Sequence, residues 1–144
     1  MVKTKTLVIA SGYFNPLHKG HIEYLKKSKE LGDSLIVIIN NDIQRAMKGS
    51  KEFMNEDERK LVIETLKPVD FAVISIDEDT RQVDKTIKMI YILYKDEFQN
   101  FIFSNGGDQT KETISEGEIC KKLGIKMVFG LGDKIQSSSW LLKI

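Results

Sequence analysis

Short apolar runs alternate along the chain with longer segments in which apolar residues recur at helical spacing. Runs of this length, rich in valine, isoleucine and phenylalanine, are typical of buried strands. They occupy Thr6–Ala10, Ser34–Ile39, Phe71–Ile76, Phe101–Ser104 and Lys126–Phe129. Helical spacing is found in His18–Leu31, in the segment after Asn55, in Val83–Tyr94, in Ser115–Leu123 and in a short closing segment, Trp140–Ile144.

This alternation predicts an α/β fold, because strands that alternate with helices form parallel sheets whose faces the helices cover. We expect a single Rossmann-like domain over residues 1–144, with a parallel five-stranded sheet and helices on both faces. A chain of this length is suited to one hydrophobic core.

The helix after Asn55 carries the clearest local signals. Asn55 is a typical N-cap residue, and the acidic run Glu56–Glu58 suits a first helical turn. The spacing predicts a buried stripe made of Leu61, Val62, Thr65 and Leu66. The run before it, residues 40–55, is polar and basic without an apolar pattern, and we predict that it forms a mobile loop.

Two features that resemble chemical sites are better explained by structure. The acidic run Asp77–Asp79 has the composition of a metal site, but we expect it to cap the helix Val83–Tyr94. The single cysteine, Cys120, lies between apolar residues of a predicted helix, with no neighbour that would lower its pKa. We therefore predict a half-buried structural cysteine and no nucleophile.

Charge and composition exclude some classes of function. The chain has 22 Lys and Arg against 21 Asp and Glu, a net charge of +1, whereas proteins that bind nucleic acid broadly carry a strong basic excess. The N-terminal segment lacks the pattern of a signal peptide, and no apolar stretch is long enough to span a membrane. We therefore expect a cytoplasmic protein that binds no nucleic acid.

The candidate chemistry lies in the turns after the strands, where ligands bind in open parallel sheets. The first of these turns reads Gly-Tyr-Phe-Asn-Pro-Leu-His-Lys-Gly-His from Gly12 to His21. Its two histidines, His18 and His21, are three residues apart at a helix start, where free N–H groups and the helix dipole favour anions. Gly20 leaves that face free of a side chain, and Gly12 is expected to permit a sharp exit from the strand.

A lone histidine at a helix start is more often a cap or a surface residue. Two histidines with this spacing, after a buried first strand, point instead to phosphate binding, because imidazoles donate hydrogen bonds without a permanent full charge.

The turn resembles the HxGH motif of the cytidylyltransferase-like nucleotidyltransferase family, whose members include cytidylyltransferases and adenylyltransferases. The likeness extends over essentially the whole chain. Segment Glu58–Leu66 is similar to the family's helix after its mobile loop, and Val69-Asp70 follows it as in the family. Gly107-Asp108 resembles a late strand end, and Ser137–Ser139 occupies the place of the closing Ser/Thr-rich motif.

The resemblance implies a role for each matching residue. Four positions are implied to be catalytic, His18, His21, Lys48 and Arg59. Those implied to bind the nucleotide are Gly12, Tyr13, Phe14, Asn15, Gly20, Asp108, Ser137 and Ser138. No protein ligand for a metal is implied, since Mg²⁺ would be held mainly by the phosphates of the nucleotide. The resemblance also implies a homodimer.

The base and the acceptor stay open at this point. Our first expectation is transfer of CMP from CTP to a small phosphorylated or phosphono-alcohol acceptor, with release of pyrophosphate. The alternative is an adenylyltransferase that uses ATP and a sugar phosphate or mononucleotide, which the pair Asn15-Pro16 favours. Residues 130–136 contain no arginine, whereas the closing segment of one of the family's cytidylyltransferases begins with one. An alternative of another class is a regulatory module that binds nucleotide without catalysis.

Overall fold

The structure, a computed structural model, describes residues 4–106 and 116–131. Its strands are β1 (Thr6–Gly12), β2 (Ser34–Ile39), β3 (Phe71–Ile74), β4 (Asn100–Gly106) and β5 (Lys126–Leu131). Its helices are α1 (Lys19–Lys29), α2 (Asp42–Lys48), α3 (Glu56–Glu64), α4 (Asp84–Tyr94) and α5 (Gly117–Leu123). The predicted closing helix Trp140–Ile144 lies outside the described residues, as do the predicted site residues Asp108, Ser137 and Ser138.

The strands form one parallel sheet in the order β3-β2-β1-β4-β5. The prediction of an α/β, Rossmann-like fold with five parallel strands is confirmed. Strand order reverses between β1 and β4, and ligands of such sheets bind in the crevice beyond the carboxyl ends of the strands at this point. No helix within the described ranges is long and apolar enough to cross a membrane.

Each strand contributes side chains to both faces of the sheet, because neighbouring residues of a strand point in opposite directions. On the face covered by α1 and α3, the buried residues include Val8, Ala10, Leu25, Leu35, Val37 and Ile63. On the face covered by α4 and α5, they include Leu7, Ile9, Ile36, Ile38, Ile87 and Ile90. Helices therefore cover both faces, as predicted, and this explains why β1 and β2 are apolar without alternation.

The segment predicted as a loop, residues 40–55, contains the helix α2, so that prediction is wrong over Asp42–Lys48. A capping box starts the helix: Asn41 Oδ1 accepts from Gln44 N at 2.8 Å, and Gln44 Oε1 accepts from Asn41 N at 3.0 Å. It ends at Gly49, whose φ of 82° lies in the left-handed region. The helix has no apolar stripe because its one buried side chain is the amide of Gln44, so hydrophobic periodicity does not detect it.

Helix α3 begins at its Asn55 cap as predicted, with Asn55 Oδ1 accepting from Glu58 N at 2.9 Å. Its buried face differs from the predicted stripe. The buried residues are Arg59 and Ile63, whereas 64% of the Leu61 surface is exposed. A buried arginine was the reason for the error, because a pattern of apolar residues cannot assign a charged residue to the interior.

Asp77 caps the start of α4, as the sequence predicted for this acidic run. The residue at the N-cap position, Val83, has no side-chain oxygen to serve as a cap. Asp77 replaces it from the preceding loop, since its carboxylate accepts from Lys85 N at 2.9 Å, Thr86 N at 3.0 Å and Thr86 Oγ1 at 2.5 Å. Ser75 Oγ adds a contact at 3.4 Å to this carboxylate.

Cys120 is fully buried, more than the half-burial expected, within the core between the sheet and helices α4 and α5. Burial, followed by the charges of Glu116 and Asp84, raises the pKa of its thiol to about 12. The thiol is therefore protonated at neutral pH, which agrees with a structural role.

We expect Asp77→Ala to lower the free energy of unfolding by about 1–2 kcal/mol, the usual cost of losing an N-cap, because Lys85 and Thr86 lose their acceptor. The measurement is urea unfolding. Asp79→Ala is the matched control, since the Asp79 carboxylate is exposed and its ion pair with Lys85 spans 3.7 Å. An equal loss in both variants would contradict the capping role.

Candidate active site

The carboxyl ends of β1 and β2 lie side by side, with Gly12 paired to Ile39 and Asn40 N donating to Gly12 O at 2.9 Å. The turn from β1 to α1 therefore meets the residues that lead into α2. This junction lies at one side of the crevice beside β4 and is the only place where the described residues bring several predicted site residues together.

Gly12 makes room for the Phe14 ring. A Cβ atom at Gly12 would lie 2.7 Å from Phe14 Cζ, which is too close for any contact between carbon atoms. Phe14 has a φ of 51°, unusual for a residue with a side chain, and its ring is 1% exposed. Gly12 is the last residue of β1 and has no positive φ, so the structure explains it by the space that the Phe14 ring needs.

The two histidines cap the start of α1 together. His18 Nδ1 accepts from Gly20 N at 3.0 Å, and His21 Nδ1 accepts from His18 N at 3.1 Å. The two imidazole rings stack with their centres 3.7 Å apart. The His21 and Phe14 rings form a T-shaped pair with their centres 5.0 Å apart. The capping and the chemical interpretations of these residues are therefore compatible, since capping occupies one nitrogen of each ring.

These hydrogen bonds decide which ring nitrogen carries the proton. Because each Nδ1 accepts a hydrogen bond, the neutral form of each ring has its hydrogen on Nε2. Burial, followed by the charges of His18 and Lys48, lowers the pKa of His21 from 6.5 to about 4. At neutral pH His21 is therefore an uncharged imidazole with one N–H available to an acceptor.

Lys48 brings a positive charge to the same turn. It is the last residue of α2, and its Nζ lies 4.4 Å from the centre of the Tyr13 ring. The proximity of its charge is one of the causes of the lowered pKa of His21. An ammonium group and imidazole N–H donors together make a site suited to phosphate oxygens.

Arg59 lies in the interior and binds four oxygens of the surrounding protein. Its Nε donates to Met54 O at 3.0 Å, and its Nη1 donates to Tyr13 O at 2.9 Å and to Asn40 O at 2.6 Å. Its Nη2 forms an ion pair with Asp42 Oδ1 at 2.7 Å, and the side chain has no exposed surface. Arg59 thus joins the two strand ends to α2 and α3, and the contact with an acceptor phosphate that the resemblance implies stays a prediction.

Asn15 attaches the segment between α2 and α3 to the turn. Its Nδ2 donates to Lys51 O at 2.7 Å, and its Oδ1 accepts from Phe53 N at 2.9 Å and Met54 N at 3.1 Å. The side-chain amide is therefore engaged with the backbone of residues 51–54, and its predicted contact with nucleotide stays a prediction.

Sequence reasoning missed the roles of two amide side chains that hold the loop after β3. Asn41 Nδ2 donates to the backbone oxygens of Ser75 at 3.0 Å and Asp77 at 2.8 Å. Gln44 Nε2 donates to the backbone oxygens of Thr80 and Gln82, both at 2.9 Å. The available signal was the polar run directly after the buried strand β2, whose partners are 34 to 38 residues away in the sequence.

The donors of the turn fit the phosphates of a nucleotide better than a metal ion. Within residues 4–106 and 116–131, no group of three His, Cys, Asp or Glu side chains could hold a metal. The groups at the turn are N–H donors and an ammonium, and none of these is a ligand that Mg²⁺ prefers. The expected Mg²⁺, bound through nucleotide phosphates, stays a prediction.

A model of the cytidylyltransferase-like family matches residues 9–134. The chain belongs to this family. It is accordingly a nucleotidyltransferase, which agrees with the resemblance carried by the motif at Gly12–His21.

Several relatives resemble the chain over most of its length. A FAD synthase of Aciduliprofundum boonei is 33% identical over 120 residues, which are 83% of this chain and 73% of that protein. A FAD synthase of Picrophilus torridus is 36% identical, over 82% of this chain and 77% of that protein. The bifunctional protein HldE of Syntrophotalea carbinolica is 35% identical over 83% of this chain, which corresponds to 23% of HldE.

A solved structure supports the same relationship. The lipopolysaccharide core biosynthesis protein from Thermoplasma volcanium is 32% identical to this chain, with a TM-score of 0.67. The match covers 87% of this chain and 95% of that protein. The fold and the family are therefore shared along nearly the full length of both.

We expect Arg59→Met to lower the free energy of unfolding by about 3 kcal/mol, the lower end of the cost of breaking a buried ion pair, because Asp42 stays partly exposed. Arg59→Lys should recover part of this loss, since an ammonium keeps the charge without the planar fork. Lys60→Met is the control, as its ion pair with Glu64 at 3.2 Å is partly exposed. Similar urea midpoints for the Arg59→Met and Lys60→Met variants would contradict the interior role.

We expect protonation of His21 to destabilise the folded protein. Its pKa of about 4 in the folded state lies below its usual 6.5, so the unfolded chain binds the proton more tightly between these values. Stability is therefore lost as the pH falls from 6.5 to 4, by at most about 1.4 kcal/mol per pH unit.

The test compares urea unfolding of the wild type and His21→Asn between pH 4 and 7. Asparagine does not titrate, and its side-chain oxygen can accept from His18 N as Nδ1 of His21 does, so the cap is kept. The slope of stability against pH should be smaller in the variant. Parallel curves for the two proteins would show that His21 does not contribute.

Proposed function

We propose that the protein transfers the adenylyl group of ATP to a phosphorylated acceptor and releases pyrophosphate. The observation that carries this proposal is the similarity, over more than 80% of the chain, to FAD synthases of two organisms. FAD contains an AMP moiety, so a synthase that completes it adds an adenylyl group. The relatives thus favour the adenylyl alternative over the transfer from CTP that the sequence put first.

The donors of the turn support this chemistry. The attacking oxygen belongs to the phosphate of the acceptor, which is already ionised, so neither a protein nucleophile nor a general base is required. A bond forms from this oxygen to the α-phosphorus, while the bond from the α-phosphorus to the bridging oxygen of the β-phosphate breaks. Pyrophosphate leaves with the electron pair of the broken bond.

The contribution of the protein is to position the phosphates and to stabilise their charge, which is the main requirement of phosphoryl-type transfer. The Nε2–H groups of His18 and His21 would donate to oxygens of the triphosphate. The ammonium of Lys48 would approach the same oxygens from α2. A neutral His21 suits this role, because it donates a hydrogen bond at the pH where the phosphates are fully charged. Mg²⁺ bound to those phosphates would neutralise further charge.

FMN is the acceptor that we favour, since it is a mononucleotide and the FAD synthases match over about three quarters of their own length. A sugar phosphate is the second candidate, supported by the similarity to HldE and to the lipopolysaccharide core biosynthesis protein. The chain corresponds to only about a quarter of HldE, so this similarity concerns one part of that protein. The homodimer implied by the family resemblance stays a prediction.

The first experiment is a pyrophosphate-release assay with Mg²⁺, in which ATP and CTP are each combined with FMN and with a sugar 1-phosphate. We expect release with ATP and FMN. Release with CTP alone would contradict the adenylyl proposal and restore the cytidylyl alternative. Nucleotide binding without release for any acceptor would support the regulatory module.

We expect His21→Asn and Lys48→Met to lower kcat/KM by about 100- to 1000-fold each, the usual cost of removing one donor to developing charge. Asparagine can keep the hydrogen bond that Nδ1 makes but lacks the N–H that His21 presents on Nε2. Lys51→Met is the matched control for Lys48→Met, because Lys51 is an exposed lysine three residues further along the chain. A loss of the same size in Lys51→Met would show that kcat/KM depends on the positive charge of this region in general and not on Lys48 in particular.

A further inference from the structure

Tyr13 is one of the positions that the family resemblance implies to bind the nucleotide, but the proposed chemistry does not use its side chain. Its ring is the partner of the Lys48 ammonium. The distance from Lys48 Nζ to the ring centre is 4.4 Å, well within the range of a cation–π contact. Among the described residues, no carboxylate lies within 4.0 Å of this ammonium, although several other lysines form ion pairs of that kind.

The position of the ring is determined from two sides. The backbone oxygen of Tyr13 accepts from the buried Arg59 at 2.9 Å. Its hydroxyl donates to Gln44 O at 3.5 Å, and the Gln44 side chain is buried and bound to the loop after β3. Tyr13 is therefore attached to the end of β2 through Arg59 and to α2 through its hydroxyl, whereas the Lys48 side chain is exposed at the end of α2.

We propose that Tyr13 is a positioning residue, whose ring holds the ammonium of Lys48 at the β1–α1 turn before the nucleotide binds. A free lysine side chain samples many rotamers, and ordering it upon binding lowers affinity. The proposal rests on the proposed function, since it assigns to Lys48 a contact with the triphosphate.

An aromatic ring suits this purpose better than a carboxylate. A carboxylate would hold the ammonium more strongly, but it would also repel the phosphates and compete with them for the same cation. The face of the ring attracts the cation weakly and brings no negative charge to the site. The Lys48 ammonium can therefore be held close to His21 in the free protein and can still contact a phosphate oxygen when the nucleotide binds.

The first test is a double-mutant cycle on kcat/KM for ATP and on its dissociation constant, with Tyr13→Leu, Lys48→Met and the double variant. We expect Tyr13→Leu to lower kcat/KM by about two- to fivefold, the size of an exposed cation–π contact. In the Lys48→Met background the same change should have no further effect. Tyr13→Phe keeps the ring and loses only the hydroxyl, so it should recover most of the coupling.

The second test reports the contact without any substrate. Reductive ¹³C-methylation labels the lysine amines, and the signal of Lys48, assigned through its loss in Lys48→Met, should be shifted upfield by the ring current of Tyr13. The shift should persist in Tyr13→Phe and disappear in Tyr13→Leu. Melting temperatures of all variants show whether a change in folding accounts for the results.

Each outcome bears on a separate claim. An unshifted Lys48 signal in the wild type, or equal effects of Tyr13→Leu with and without Lys48, would overturn the positioning role while leaving adenylyl transfer intact. A wild-type protein that binds no nucleotide would overturn the proposed function and this proposal with it. A shifted Lys48 signal, coupling in the cycle and recovery by phenylalanine would together establish the positioning role of Tyr13 and the use of Lys48 in nucleotide binding.

Discussion

The guanidinium of Arg59 is enclosed by the protein, and the arrangement of the site depends on how its charge is satisfied. A buried cation is tolerated only where oxygens surround it with good geometry, because removal from water costs several kcal/mol. Three of its acceptors are backbone oxygens of Tyr13, Asn40 and Met54, and the fourth is the carboxylate of Asp42. These residues belong to the turn after β1, the end of β2, the start of α2 and the approach to α3, so one side chain holds four segments in register.

The side chains of His18 and His21 stabilise the start of α1 and also present donors to the site. The Nδ1 atoms of His18 and His21 satisfy backbone N–H groups at the start of α1, which any helix must have satisfied. This use of one nitrogen leaves the other as a donor, and burial keeps His21 neutral at physiological pH. The Phe14 ring behind the histidines anchors the turn in the core, and Gly12 provides the space that the ring needs. The contacts that would orient the two histidines for phosphate binding under the proposed function therefore also stabilise the domain.

The sequence allowed the sheet to be predicted closely, and the polar parts of the site less well. Buried parallel strands are continuous apolar runs bounded by polar turns, so β2 was predicted with its observed bounds. Helix α2 was missed because its only buried residue is Gln44, whose partners are backbone oxygens of a distant loop. The buried face of α3 was misjudged because Arg59 occupies it, and no periodicity of apolar residues indicates a buried charge.

The sequence by itself determined the alternation of strands and helices apart from α2, the family, and the motif at Gly12–His21, because these depend on local periodicity and on contiguous residues. Only the tertiary structure decided what those residues contact. In the structure Arg59 donates to oxygens of the protein, and Asn15 binds backbone groups of residues 51–54. Lys48 lies against the ring of Tyr13. The physical reason is that burial and long-range hydrogen bonds depend on which segments become neighbours in the sheet, and spacing along the chain does not contain that information.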